Sequence, residues 1–133
     1  MKKFFTLTAA LLLAFSTAAN AQDYVIKMKT RHAVGEYMGF SIQSNGEEVE
    51  VIGAEYDSSD GSFKVTSQEV ELRGKITRLD CSSNMLEMLD VSGNPVLVEL
   101  YCDNNKFMTD LRLGNQPDLQ ELYAGDNQLA ELD

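Results

Sequence analysis

Histidine occurs once in the 133 residues, cysteine and proline twice each, and Lys and Arg together reach 11 against 21 Asp and Glu. Each shortage excludes a class of chemistry. With His32 alone, neither a His-based catalytic triad nor a two-histidine metal site can be assembled. His32 stands among Lys29, Arg31 and Gly35, in a segment that reads as a solvated loop. A formal net charge of −10 argues against nucleic acid and anionic membrane surfaces as partners. It suits a soluble, exposed protein or a cationic partner. No G-x-S-x-G, no P-loop and no convergent pair of carboxylates is present, so the sequence predicts no enzyme, no catalytic residue and no cofactor. Asp57-Ser58-Ser59-Asp60-Gly61 holds calcium-type residues, but not at the spacing of a calcium loop. The residue eleven past Asp57 is Gln68 rather than glutamate, so a turn is expected there and no metal site.

Long apolar runs are missing as well. The longest, Phe4 to Phe15, falls short of the roughly 20 residues of a membrane-spanning helix. It follows the basic start Met1-Lys2-Lys3 and precedes Ala19-Asn20-Ala21, a small-x-small cleavage pattern. Residues 1–21 therefore read as a secretory signal peptide, and the mature chain is expected to be exported: secreted, periplasmic or at the cell surface. After cleavage no integral membrane segment is expected. No cysteine lies near the cleavage site to carry a lipid. About 110 residues would remain, enough for one compact domain or two small ones.

What is present is a repeat. Ile76-Thr-Arg-Leu79-Asp-Cys81-Ser-Ser-Asn84-Met-Leu86 recurs as Leu97-Val-Glu-Leu100-Tyr-Cys102-Asp-Asn-Asn105-Lys-Phe107, and again as Leu119-Gln-Glu-Leu122-Tyr-Ala124-Gly-Asp-Asn127-Gln-Leu129. All three follow L-x-x-L-x-L-x-x-N-x-L, with cysteine or alanine in the third apolar slot. The second unit carries one extra residue, which the realignment of Leu89-Asp-Val91 with Leu111-Arg-Leu113 places between Phe107 and Leu111. Pro95 and Pro117 then occupy the same place in each connector.

Around Leu79, Leu100 and Leu122 apolar and polar residues alternate, which is strand spacing. One such strand cannot bury its apolar face alone. Stacking the three in parallel about 4.8 Å apart predicts a shared core from these leucines. Asn84, Asn105 and Asn127 fall where the chain must turn out of each strand, and buried amides there would form a structural ladder. Cys81 and Cys102, one unit apart, would sit side by side and inward. Parallel Cβ vectors near 4.8 Å exceed the ~3.8 Å mean of disulfides, which favours free core thiols, while an oxidising compartment keeps a disulfide open.

Residues 22–75 lack the repeat. Tyr24, Ile26 and Met28 alternate with polar residues, as do Val49 and Val51, and Val70 and Leu72. Ser44-Asn45-Gly46 between Phe40-Ser-Ile42 and Val49-Glu-Val51 predicts a hairpin. Val70-Glu-Leu72-Arg-Gly74 resembles the return segment Leu89-Asp-Val91-Ser-Gly93 and is expected to lead into the first coil. These residues read as a β-rich N-terminal cap domain over the first coil of residues 76–133. At the other end, Leu132-Asp133 falls inside a third unit without a polar cap. That coil would fray, pair with another chain by self-association, or continue in a longer protein. The expected fold is thus mostly β: a leucine-rich-repeat parallel β-solenoid of about two and a half coils behind a small β-rich cap.

The outward positions of the repeat strands form the candidate binding face: Arg78, Asp80 and Ser82; Glu99, Tyr101 and Asp103; Glu121, Tyr123 and Gly125. Stacking would place Tyr101 beside Tyr123 within a rim of Asp80, Glu99, Asp103 and Glu121. Tyrosine supplies contact area with a polar tip and recurs at binding surfaces. The same pair could serve only cross-strand stability.

The step near 21 residues with L-x-x-L-x-C-x-x-N-x-L, together with Leu89-Asp90-Val91-Ser92-Gly93-Asn94-Pro95-Val96-Leu97, resembles the cysteine-ladder leucine-rich repeats of internalin-type bacterial surface proteins. The resemblance covers residues 76–133. It implies a parallel β-solenoid, free buried cysteines, a secreted or surface location, and binding of host or neighbouring-cell proteins. Ala124 departs from the cysteine pattern, and the repeat count is small. The expectation is an adhesion-type module that binds a protein, or secondarily a glycan, through its repeat strands. The alternative is a structural one: the cap and first coils of a longer leucine-rich-repeat surface protein, without a ligand site of their own.

Overall fold

A computed structural model describes residues 5–6 and 23–130. Apart from the strand at Phe5–Thr6, the expected signal peptide lies outside the described residues, as does the end at Leu132-Asp133. The strands, in chain order, are β1 (Phe5–Thr6), β2 (Val25–Thr30), β3 (Tyr37–Met38), β4 (Ser41–Gln43), β5 (Val49–Ile52), β6 (Ala54–Asp57) and β7 (Ser62–Val65). They continue as β8 (Glu69–Arg73), β9 (Arg78–Asp80), β10 (Leu86–Asp90), β11 (Glu99–Tyr101), β12 (Asp110–Arg112) and β13 (Glu121–Tyr123). No helix occurs among the described residues, so none there is long and apolar enough to cross a membrane.

The strands form three separate sheets. A six-stranded sheet runs β1-β5-β8-β2-β10-β12, a four-stranded one β13-β11-β9-β4, and a three-stranded one β3-β7-β6. The expected parallel β-solenoid does not form, and the cap is not a lid set ahead of it. Antiparallel strands from residues 22–75 are built into both repeat sheets. β2 lies between β8 and β10, antiparallel to each, where successive coils would have been neighbours. Likewise β4 lies antiparallel against β9, Ser41 opposite Asp80 and Gln43 opposite Arg78. The physical reason is in β2 itself. Ile26, Met28 and Thr30 point inward and are buried, whereas Lys27 and Lys29 point out, so the strand fits any partner that shares its inner face.

One core joins both regions of the sequence. Ile26, Met28, Phe63, Val70, Leu72, Leu79, Leu89 and Leu100 are all essentially inaccessible and belong to a single cluster. Burying a leucine of this kind stabilises the fold by about 2 kcal/mol. Phe40 stacks on Phe63 at 4.0 Å between centroids and ties the three-stranded sheet to the rest.

Two local expectations also fail. Asn45 and Gly46 do turn, both at positive φ, but the flanking strands part. β4 joins the repeat sheet while β5 pairs with β8 and β1, so no hairpin forms. The hairpin is instead β6–β7, closed at Asp57–Gly61, where Asp57 and Asp60 each accept bonds from the amide and hydroxyl of a serine two residues on. In the second repeat unit, Met108 fills the buried slot expected for Phe107. Phe107 turns outward under the Arg31 guanidinium, 4.2 Å from its ring centre. The extra residue therefore precedes Met108, because an unbranched thioether adapts to the core where a ring would not.

Candidate functional site: the outward face of the repeat strands

Strands β9, β11 and β13 are parallel and in the register that the repeat spacing dictates: Leu79 opposite Leu100, Leu100 opposite Leu122. Each is held by what lies beneath it. Asn105 Oδ1 accepts the backbone N–H of Asn84 and of Leu86, and its amide donates to the carbonyls of Cys81 and Cys102. Asn127 Oδ1 accepts the N–H of Asn105 at 2.8 Å, and its amide donates to Cys102 and Ala124. Asn84 turns the other way: its amide donates to the Gly39 carbonyl and its oxygen accepts the Gly39 N–H, fastening the β3–β4 connection to the ladder. The residue before each ladder asparagine, Ser83, Asn104 and Asp126, has a φ between 56° and 60°, so the tight exit recurs in all three units.

Cys81 and Cys102 are free and buried on the inner face. Burial pushes the Cys81 thiol well up, with Cys102 beside it adding to the rise, and pushes Cys102 up to about 12. Neither is a nucleophile at neutral pH.

On the outer face the Tyr101 and Tyr123 rings stack, 4.9 Å between centroids and 4° from parallel. Arg78 flanks Tyr101 from the neighbouring strand, its guanidinium carbon 4.7 Å from the ring centre, and donates to Glu99 at 2.7 Å. Burial works against the charged guanidinium, but hydrogen bonds to Glu99 and Tyr101 outweigh it, and the net shift is upward. The Tyr101 hydroxyl donates to Glu121 at 2.6 Å, and that bond raises its pKa. Asp80 accepts the Ser82 N–H, and Asp103 accepts the Gly125 N–H across the strands. Arg78, Asp80, Ser82, Glu99, Tyr101, Asp103, Glu121 and Tyr123 thus lie together on one surface, three strands wide.

Charge is uneven on this surface. Glu99 sits directly opposite Glu121, and Arg78 is the one cation set against Asp80, Glu99, Asp103 and Glu121. Like charges directly opposite on adjacent strands are destabilising. The six-stranded sheet does the reverse: across it Glu71, Lys27, Asp90 and Arg112 follow one another in register with alternating sign.

The sequence reading missed part of this surface. Antiparallel β4 adds Ser41 and Gln43, both exposed, as a fourth strand. Beside it Gly39, Phe40, Ser41, Gly61, Asp80 and Ser82 line a shallow recess of about 430 Å³. The hairpin expected at Asn45-Gly46 assigned β4 to the sheet of β5, whereas β4 pairs with β9 and β5 lies in the six-stranded sheet. His32 differs too: it is 20% exposed and bonded to Glu36 at 3.1 Å rather than solvated. A second recess of about 660 Å³ lies on the charge-alternating sheet and mixes Lys27, Arg73 and Lys75 with Asp23, Glu47 and Glu71. Among the described residues no group of three or more His, Cys, Asp or Glu is placed to hold a metal ion.

No protein-family model, curated protein or solved structure matches the chain.

Proposed function

We propose that this chain is an exported, non-enzymatic protein-interaction module that engages its partner through the outward face of β9, β11 and β13. The observation that carries this reading is the stacked Tyr101–Tyr123 pair set in an excess of carboxylate on a flat, regular surface. Aromatic rings with polar tips supply rigid contact area at low entropic cost, the property that concentrates binding energy in a few residues. β4 and the adjoining recess extend the surface toward the roughly 800 Å² per partner of an ordinary interface. The resemblance of the repeat sequence to internalin-type surface proteins and the signal-peptide pattern of residues 1–21 support export and a protein ligand, with a glycan second. The acidic balance leaves nucleic acid and anionic membrane out of the reading.

The test is binding of the Tyr101→Ala/Tyr123→Ala variant to cells and to a panel of matrix proteins, with circular dichroism to check the fold. At least about tenfold weaker binding is expected from loss of a central aromatic pair. Unchanged binding by a folded variant overturns the proposal.

A further inference from the structure

We infer that the recess beside β4 is the socket for a lysine or arginine side chain of the protein partner. The inference rests on the reading of this face as an interface and names the chemistry of what enters it. Four observations converge. The recess lies where the hairpin end at Gly61, the Gly39–Ser41 segment and the repeat strand β9 meet. Asp80 is its one ionisable lining residue among the described residues, and one of its carboxylate oxygens accepts the Ser82 N–H. Phe40 lines the same space and can receive the aliphatic stem of a long side chain, with the Ser41 and Ser82 hydroxyls beside it as acceptors.

Among the described residues no cation is paired with Asp80 from within. Across the strands Asp80 faces Ser41 and Tyr101, and the nearby Arg78 is engaged by Glu99 and the Tyr101 ring. Glu99 opposed to Glu121 carries the same imbalance across the rest of the face. A basic segment laid over these strands would relieve both, one side chain entering at Asp80 and others reaching Glu99, Glu121 and Asp103. Charge-assisted hydrogen bonds to a carboxylate suit guanidinium or ammonium equally in sign, and guanidinium better in geometry. A divalent ion is a poor fit, because the recess offers a single carboxylate.

The test is a chemical-shift titration of the 15N-labelled protein with acetyl-arginine amide, and with neutral acetyl-citrulline amide as control. Expected are saturable shifts centred on the amides of Gly39, Ser41, Gly61 and Ser82, absent with citrulline and weakened by salt. Asp80→Asn should weaken binding at least about tenfold. Its side-chain oxygen can still accept the Ser82 N–H, so the turn is kept. Glu71→Gln, on the charge-alternating sheet, should change nothing. Shifts spread evenly over the acidic surface, equal response to citrulline, or an Asp80→Asn variant that binds as before would each overturn the socket. The two readings fail separately. Recess binding retained while the tyrosine variant binds cells and matrix proteins normally keeps the socket and removes the wider interface. The converse removes the socket alone.

Discussion

The two large sheets share one core but present opposite surfaces to water. Across the six-stranded sheet, acid and base alternate in register from Glu71 through Lys27 and Asp90 to Arg112, and further pairs join Arg73 to Glu71 and Lys29 to Glu87. Such a surface is satisfied by itself. Across the repeat strands, Glu99 opposes Glu121, and the aromatic pair lies in the open. Arg78 offsets Glu99 and the Tyr101 hydroxyl bonds Glu121, yet acids outnumber the single cation on this face, an imbalance that fits the binding role proposed for it. The difference lies in charge pairing: one sheet matches its charges strand by strand and the other does not.

The comparison can be broken at several depths. The deepest cut is Asn105→Ala, which orphans the N–H groups of Asn84 and Leu86 and the carbonyls its amide serves. A loss of about 3 kcal/mol or more is expected in urea unfolding, with the tyrosine stack lost before the charge-alternating sheet is disturbed. Next comes alkali. The inner face of the repeat sheet holds thiols, while the described inner face of the six-stranded sheet holds none. Cys102 has its folded pKa raised to about 12 from 9.0, so the folded state keeps a proton that the unfolded state gives up. Stability is then intact below about pH 9 and falls as pH rises toward 12, by about 1.4 kcal/mol per pH unit for each such thiol. Urea midpoints measured over that range should show the slope, and Cys102→Ala should reduce it.

Smaller effects discriminate the outer faces. Lys27→Glu places a third acid between Glu71 and Asp90 and should cost about 1 kcal/mol. Glu121→Gln, by contrast, removes the charge opposed to Glu99 while its side-chain oxygen can still accept the Tyr101 hydroxyl, and should stabilise by about 0.5 kcal/mol while weakening capture of a basic partner. A Glu121→Gln protein that melts lower would undo the reading of the Glu99–Glu121 pair as destabilising. The change that should leave the face itself least altered is at the strand exits: Asn104→Val, a branched residue at a φ of 57°, should lose about 1–2 kcal/mol locally, with the Tyr101–Tyr123 ring contacts in NMR kept.

Much of the surface was legible in the sequence because a repeat fixes relative position. The equal spacing of Leu79, Leu100 and Leu122 gave the parallel register, and with it the side-by-side cysteines, the asparagine ladder and the tyrosine pair. Legibility ended where pairing joins unlike segments. Nothing local in Val25–Thr30 says that it will lie between β8 and β10, and nothing in Ser41–Gln43 says β9 rather than β5. Those choices are made by inner-face packing over long separations, which leaves no short-range signature. The solenoid expectation failed for that reason: it extended a rule true of three strands to the whole chain. Phe107 and Met108 show the same limit on a smaller scale, since both are apolar and only the shape of the core distinguishes them.

The position of β2 has a consequence for the order of assembly. It is among the first described segments to leave the ribosome, yet one of its two neighbours, β10, is made some sixty residues later. Until Leu86–Asp90 emerges, Ile26 and Met28 have an open edge beside them, and the strand cannot be closed into its sheet. Closure is therefore a late, long-range event, of the kind that slows folding from microseconds toward milliseconds and seconds. A chain ending before residue 86 would lack the β10 partner of β2 and leave that strand edge open, the kind of edge on which wrong pairings form.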